Sequence, residues 1–368
     1  MPSLQRVTFY AALCTAALLL AFATFAWIHP KEPTYHGKPL SYWMLANARP
    51  VNKDQPDPAV ALSAIGSNAV PFLLKWAEQR TYNWQKQLRP YRDKSPLLRK
   101  VIPYWATGID KQNRALAALH AIPRLGPAAS PAIPRLAALA NSDRDPAVGR
   151  YATEALALME AIPALVTVAT NQHAMARLNA IQHLGQLHHA AAVPALLQCL
   201  NDTNASASSA AASSLGLINQ EPAVVVTALI AALRRAPNTW SWPPADARFA
   251  LVSALSEFGT NADVAVPEFL RHLSLTDKRD PFCCSLVAAL CRVSAQPRTI
   301  LPALATCLQS RNADLRRCTV IALSSMGPGA RFALENLTNA LQFQDTRPFV
   351  SEAIGRITSQ ATTTASPP

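Results

Sequence analysis

The chain has 368 residues, of which half are hydrophobic and 15% charged, with a formal net charge of +12. That composition excludes a disordered polyelectrolyte and leaves ample apolar material for a core. With only 11 glycines and no sustained strand-like alternation, it points to an all-α fold and offers no glycine-rich phosphate loop. The 7 cysteines include no CxxC, no CxxCH and no zinc-ligand spacing, so no haem attachment site or metal centre is expected.

The chain opens with Val7 to Ile28, an uncharged run of 22 residues preceded by Arg6. As a helix it would span about 33 Å, enough for a bilayer's hydrocarbon core. An uncleaved anchor is the favoured reading, because a secretory signal has a shorter apolar core. The alternative is a cleaved signal ending at the small residues Ala21-Phe-Ala23. Either reading places the rest of the chain outside the cytoplasm. Residues 29–56 then form a tether, with a short helix expected near Ser41 whose Trp43 and Leu45 pack on the first repeat beyond it.

From residue 57 a six-residue phrase recurs: alanine, a small or aliphatic residue, two variable residues, a bulky apolar residue, then glycine. It reads Ala61-Leu-Ser-Ala-Ile-Gly66, Ala121-Ile-Pro-Arg-Leu-Gly126, Ala180-Ile-Gln-His-Leu-Gly185, Ala211-Ala-Ser-Ser-Leu-Gly216, Ala254-Leu-Ser-Glu-Phe-Gly259 and Ala322-Leu-Ser-Ser-Met-Gly327, with degenerate copies ending at Glu160 and Ser294. The intervals are 60, 34, 25, 31, 43, 35 and 33 residues, the period of a helical repeat. The apolar positions share one helical face. Glycine at the phrase end predicts a helix stop, and Asp57-Pro58, Asp145-Pro146 and Asp280-Pro281 predict capped helix starts.

A second helix follows each phrase, opened by Pro71, Pro134, Pro163, Pro194, Pro267 or Pro302. Two places on stands Leu73, Leu136, Leu165, Leu196, Phe269 or Leu304, and six places on an alanine or leucine. Each unit is therefore an antiparallel helix pair buried against its neighbours. Cys199 and Cys307 hold one repeat position where other copies carry Trp76, Leu139 and Val168, as buried small apolar residues would. Cys283, Cys284, Cys291 and Cys318 lie on helices without paired spacing, and burial is expected of them too.

These phrases, above all Ser142-Asp-Arg-Asp-Pro-Ala-Val148 leading into Ala152 and Ala155-Leu156, resemble HEAT repeats of the short bacterial, phycocyanobilin-lyase-like type. The resemblance covers roughly residues 57–357. It implies a right-handed α-solenoid of about eight helix pairs acting as a non-enzymatic interaction scaffold with a protein partner on its concave surface. The departures at Pro123, Glu160 and Ser294 imply local kinks. Because such repeats also occur in bilin lyases, an enzyme of that kind is a further reading, although neither a chromophore pocket nor any other cofactor site is legible.

Two insertions offer binding surfaces. The first, at 80–110, is basic and aromatic: residues 75–114 carry ten basic against three acidic residues. Its candidate surface is Lys86, Arg89, Arg92, Lys94, Arg99 and Lys100, interleaved with Trp84, Tyr91, Tyr104 and Trp105. Such a surface suits an anionic polymer or lipid headgroups, while the alternative is a capping insertion with solvated lysines. Nucleic acid is not expected beside an exported domain. The second, at 236–246, carries Trp240 and Trp242 between prolines, either as an exposed contact or folded over a repeat seam. His173, His183, His188 and His189 cluster without an acidic or cysteine partner at ligand spacing and read as a solvated face, and the Ser206–Ser214 run reads as a small-residue helix. The tail from Thr358 is rich in threonine and proline and is expected to lack structure.

Overall fold

The structure is a computed structural model that describes residues 31–45, 58–79, 88, 90–91, 109–142, 145–173, 175–236 and 247–359. The expected anchor Val7–Ile28 and the tail beyond residue 359 lie outside the described residues. The chain divides into two compact units, residues 1–132 and 133–368.

In the first unit the expected tether is built rather than loose. Strands β1 (Thr34–Tyr35) and β2 (Lys38–Pro39) pair antiparallel around His36-Gly37, whose positive φ values of 47° and 69° match the twist of a two-residue hairpin. Helix α1 (Leu40–Leu45) follows, with the Leu40 amide on the Pro33 carbonyl at 3.0 Å and the Ser41 amide on the Glu32 carboxylate at 3.0 Å. Trp43 is buried, and its indole Nε1 donates to the carbonyls of Tyr35 and Lys38, both at 3.3 Å. The rigid hairpin thus seats the tryptophan that α1 presses onto α2 (Pro58–Ile65) and α4 (Ile109–Ala121). Trp43 packs as expected; the Leu45 side chain lies outside the described set.

Helix α2 turns through Gly66 (φ 61°) into α3 (Val70–Ala77), which packs on α4. Among the described residues, the run Pro58–Ala77 is long and apolar enough to cross a bilayer by length and composition. Its bend at Gly66 and its buried Ala61, Leu62, Leu73 and Leu74 instead make it the first helix pair of the core. After α4 the backbone tightens into a 3-10 run, Ile122–Ala132, kinked at Gly126. Pro123 lacks the amide that would continue the α-helix, so the change from α to 3-10 begins beside it, while the kink itself lies three residues on, at Gly126.

The second unit holds α5 (Ile133–Ala140), α6 (Pro146–Leu158), α7 (Ile162–Thr170), α8 (Arg177–Gln186), α9 (Val193–Leu200), α10 (Ala205–Ile218), α11 (Pro222–Arg235), α12 (Ala247–Glu257), α13 (Val266–Leu275), α14 (Phe282–Val293), α15 (Leu301–Leu308), α16 (Ala313–Ser325), α17 (Leu334–Ala340) and α18 (Arg347–Ser359). The even-numbered helices carry the phrases and stack successively from α6 to α18. The odd-numbered helices, opened by proline except at α17, form a second layer, and contacts between neighbours are more extensive in the even layer. The residues two places after the proline, Leu73, Leu136, Leu165, Leu196, Phe269 and Leu304, are all fully buried. Six places after it, Ala77, Ala140, Ala169, Leu200, Leu273 and Leu308 are buried too. Burying two such positions per odd helix, at roughly 1.5–3 kcal/mol for each large apolar side chain, is what holds the layers together.

The phrase glycines divide into two groups. Gly66, Gly126, Gly259 and Gly327 have φ between 53° and 61° and end their helices, as the sequence predicts. Gly185 and Gly216 instead lie inside α8 and α10, and those helices reach left-handed residues only later, at His188 (φ 50°) and Asn219 (φ 48°). A Cβ on Gly185 would sit 2.6 Å from Ser214, and one on Gly216 would sit 2.8 Å from the Ala254 Cα. At these two positions glycine lets neighbouring even helices touch backbone to backbone. Glu160 takes the left-handed conformation without glycine (φ 51°), whereas Ser294 stays extended.

Candidate partner-binding face

Between the layers runs a set of ion pairs whose arginines are buried. Arg177 in α8 pairs with Asp202, Arg248 in α12 with Asp280 at 3.4 Å, and Arg316 in α16 with Asp345 at 2.7 Å. Each aspartate stands two or three residues before the next even helix, and Asp202 and Asp280 also serve that helix's start. The second carboxylate oxygen of Asp202 accepts the Asn204 amide at 2.7 Å, and that of Asp280 accepts the Phe282 amide at 2.8 Å. The expected Asp145 cap is present as well, accepting the Ala147 amide at 3.0 Å.

The arginines occupy one repeat register, eleven residues before the helix-ending residues His188, Gly259 and Gly327. In that register the copies read Gly149, Arg177, Ser208, Arg248, Cys283 and Arg316, so an arginine falls in every second unit. The side chains share a local task, receiving the carbonyl end of the preceding odd helix. Arg177 Nε donates to the Ala169 carbonyl at 2.8 Å, Ser208 Oγ to Leu200 at 2.8 Å, Cys283 Sγ to Asp277 at 3.4 Å, and Arg316 to Ser310. The guanidinium of Arg248 lies 4.6 Å from the Phe282 ring centre, and that of Arg316 lies 4.5 Å from that of Phe343. The hydrogen bond from Arg177 holds Asp202 below the usual carboxylate range, and burial raises the Cys199 thiol.

A second buried polar group joins α11 and α13. Glu268 accepts from Arg234 Nε at 2.9 Å and from Arg271 Nε at 2.9 Å, and lies 3.3 Å from His272 Nε2. Burial pushes Glu268 up, but the two arginines outweigh it and hold the carboxylate below its ordinary value. His272 is fully buried and is held below the ordinary imidazole value by burial and by Arg271. It occupies the register of Cys199, Cys307 and Val168, an apolar position that sequence reading did not assign to a histidine. Each of these groups links two helices through a buried side chain, which fits a role in joining helices rather than in binding.

The solvent face of the even layer is different. Leu178, Gln182 and Gln186 from α8, Ser206, Ser209, Ser213 and Leu217 from α10, and Phe249 and Ala250 from α12 line an open trough of about 670 Å³. None of these lining residues is charged. The Ser209 hydroxyl is shielded from solvent and has no hydrogen-bond partner within the described residues. Hydroxyls and amides both donate and accept, so this floor can pair with backbone N–H and C=O groups, while Leu178, Leu217 and Phe249 supply apolar seats. Charges stand further along the layer: Arg150 and Glu154 on α6, and the Glu257–Arg292 pair at 3.4 Å across α12 and α14. A larger hollow of about 1030 Å³, bounded by Asp277, Lys278, Arg279, Arg311, Asn312 and Asp314, lies at the loop edge. Its polar groups are largely engaged already: Asn312 donates to the Lys278 carbonyl at 2.7 Å, Lys278 to Leu273 and Arg317 to Asp314.

Of the residues singled out in the two insertions, Tyr91 is described and is exposed. Lys86, Arg89, Arg92, Lys94, Arg99, Lys100, Trp84, Tyr104, Trp105, Trp240 and Trp242 lie outside the described residues. His173, His188 and His189 are exposed, with His188 Nδ1 2.7 Å from the Leu217 carbonyl oxygen; among the described residues no three histidine, cysteine or acidic side chains group as a metal site. The Ser206–Ser214 run lies in α10, the small-residue helix expected. Cys199, Cys283, Cys291 and Cys307 are buried as expected, whereas Cys284 and Cys318 are only half-buried.

Two layers of antiparallel helix pairs, joined by repeated buried contacts, define an α-solenoid. Residues 162–241 match the HEAT-repeat family, and the helix pairs on either side of them continue the same two-layer architecture. Among solved structures it is similar to the karyopherin Kap121p, with TM-score 0.52 and 14% identity over 86% of this chain and 37% of that one. Importin beta gives TM-score 0.51 and 15% identity over 86% of this chain and 47% of that one. The chain thus spans less than half the length of either, and the likeness is one of fold. The complex of CpcE and CpcF of phycocyanin lyase from Nostoc sp. PCC7120 gives TM-score 0.39 and 21% identity over 62% of this chain and 94% of that one. No curated protein matches the chain.

Proposed function

We propose that this protein is a membrane-anchored, non-enzymatic scaffold that holds an extended segment of a protein partner along the solvent face of its even-numbered helices. The observation that carries this reading is the uncharged trough across α8, α10 and α12, in which hydroxyl and amide groups alternate with apolar seats. Such a lining suits a polypeptide backbone with small or apolar side chains better than it suits an anionic polymer, which needs cations. Karyopherin-like solenoids offer a parallel in fold, and one of the similar structures is Kap121p bound to Nup53p. The run Val7–Ile28 supports the anchor, with the repeats outside the cytoplasm.

The test is affinity capture with full-length, detergent-extracted protein at low and high salt, comparing wild type, Ser213→Arg, and Arg89→Glu with Arg92→Glu. The reading expects a partner retained at high salt, lost with Ser213→Arg, and unaffected by the double charge reversal. Capture abolished by salt and by the charge reversal, but indifferent to Ser213→Arg, would transfer the function to the basic insertion. An intact mass including residues 1–28 supports the anchor, and one beginning near Thr24 makes the protein secreted or periplasmic.

A further inference from the structure

Cys284 and Cys318 are the two half-buried cysteines of the even layer. Cys284 lies in the first turn of α14 and Cys318 in the second turn of α16, and the two helices pack against each other. The exposed Cys284 sulfur lies 3.9 Å from the Asp314 carbonyl oxygen, one helical turn before Cys318. Helical side chains lean toward the N-terminus, so Cys318 projects over that same turn. Both thiols therefore border the same turn of the α14–α16 contact, and after burial the neighbouring Cys318 adds to the raising of the Cys284 thiol above its ordinary value. The buried cysteines have no such setting; Cys199 and Cys283 spend their thiols on the backbone carbonyls of Ala169 and Asp277. The α14–α16 seam also differs from its neighbours. Ion pairs staple α12 to the head of α14 and α16 to the head of α18, whereas between α14 and α16 the arginine register holds Cys283.

We propose that Cys284 and Cys318 form a reversible dithiol–disulfide pair that ties α14 to α16 on the solvent side of the even layer. The oxidant is another disulfide, either a low-molecular-weight one or that of a thiol oxidoreductase. One of the two thiols loses its proton, and the thiolate attacks a sulfur of the oxidant, breaking its S–S bond and expelling one thiolate. The second cysteine, deprotonated in turn, attacks the mixed disulfide, forms the Cys284–Cys318 bond and expels the other thiolate. The protein loses two protons and two electrons, and the oxidant disulfide becomes two thiols. Where Cys284 is the attacking thiol, its raised value leaves little thiolate near neutral pH, and that route quickens as pH rises.

The experiment exposes full-length protein in detergent to oxidised glutathione at mildly alkaline pH, alkylates the remaining thiols and digests with trypsin. Cleavage after Arg279, Arg292, Arg317 and Arg331 puts Cys284 and Cys318 on separate peptides. The expected result is a cross-linked pair of these peptides, an intact mass lower by about 2 Da, and reversal by dithiothreitol. Cys284→Ser and Cys318→Ser each lose the cross-link, and Cys283→Ala keeps it. Fragmentation of the wild-type cross-linked peptide assigns the sulfurs even where a variant fails to fold. Full alkylation of both cysteines, a stable glutathione adduct on either, or a cross-link through Cys283 or Cys291 would overturn the proposal.

Discussion

Replacing Gly216 by alanine sets two effects of known sign against each other. Alanine favours an α-helix over glycine by about 1 kcal/mol, so at an open position the change would stabilise the protein. At Gly216 the new Cβ would lie 2.8 Å from the Ala254 Cα and 3.1 Å from its Cβ. A backbone atom cannot rotate away, so α10 and α12 must separate by several tenths of an ångström along a seam formed by buried Ala211, Leu215, Leu251 and Leu255. Overpacking of this kind costs about 1–3 kcal/mol, and the partial loss of seam contacts adds to it, for a net loss of roughly 1–2 kcal/mol. Gly149 in α6 is the internal control. There the added Cβ meets Ala176 Cβ at 3.4 Å, an ordinary contact, and alanine is expected to gain about 0.5–1 kcal/mol. Urea unfolding followed by helical circular dichroism, compared at equal m-values, measures both. If the two variants shift in the same direction, or if Gly216→Ala matches wild type, the backbone-to-backbone account of this seam fails.

The ion pairs should rank by enclosure. Arg248→Ala leaves Asp280 uncompensated in a site where the arginine is fully buried, a loss of about 3–5 kcal/mol, whereas Arg316→Ala costs less because Asp345 is 39% exposed; urea midpoints give the order. Asp202 is held below its unfolded value, so its contribution is present above about pH 4 and is lost as pH falls through the lower folded value; Arg177→Met should flatten the acid limb of the stability–pH curve. His272 is also depressed in the fold, so below its unfolded value of about 6.5 the unfolded chain binds the extra proton and stability falls with falling pH. His272→Leu restores the apolar residue type of the register and should remove that slope, as thermal midpoints between pH 5 and 7 would show.

Much of the architecture can be read from residue identity because the repeat imposes the same burial on the same register. Leu165 and Phe269 are predictable from each other through the proline two places earlier, and Cys199 and Cys307 from their alignment with Val168. The role of Gly185 and Gly216 cannot be read this way. A glycine that ends a helix and one that admits a neighbouring backbone look alike in a single chain, and only the partner helix separates them. The arginine register escaped notice for a related reason: it recurs in alternate copies, about 70 residues apart, and its aspartates lie across the fold. The signal was present, since each aspartate stands just before a predicted helix. The trough was half legible. The serines of α10 read as a small-residue helix, but the placement of Gln182 and Phe249 beside them depends on how closely the glycines draw the helices together.

The alternation of buried arginines also bears on how the stack would yield under load. The ion pairs bridge α8 to α10, α12 to α14 and α16 to α18, so the even layer is a series of stapled couples, and the joints between couples lack a charged staple. Strain from a partner pulling on this face, or from the membrane to which the chain is proposed to be tethered, would therefore be carried at α10–α12 and α14–α16 by side-chain and backbone packing rather than by charge. At the first joint the helices touch through Gly216, and that close approach gives the most extensive packing between even helices. At the second stand Cys284 and Cys318. Charged staples thus recur at intervals of two repeats rather than evenly along the layer, and one of the joints between them carries the two thiols proposed to be joined by oxidation.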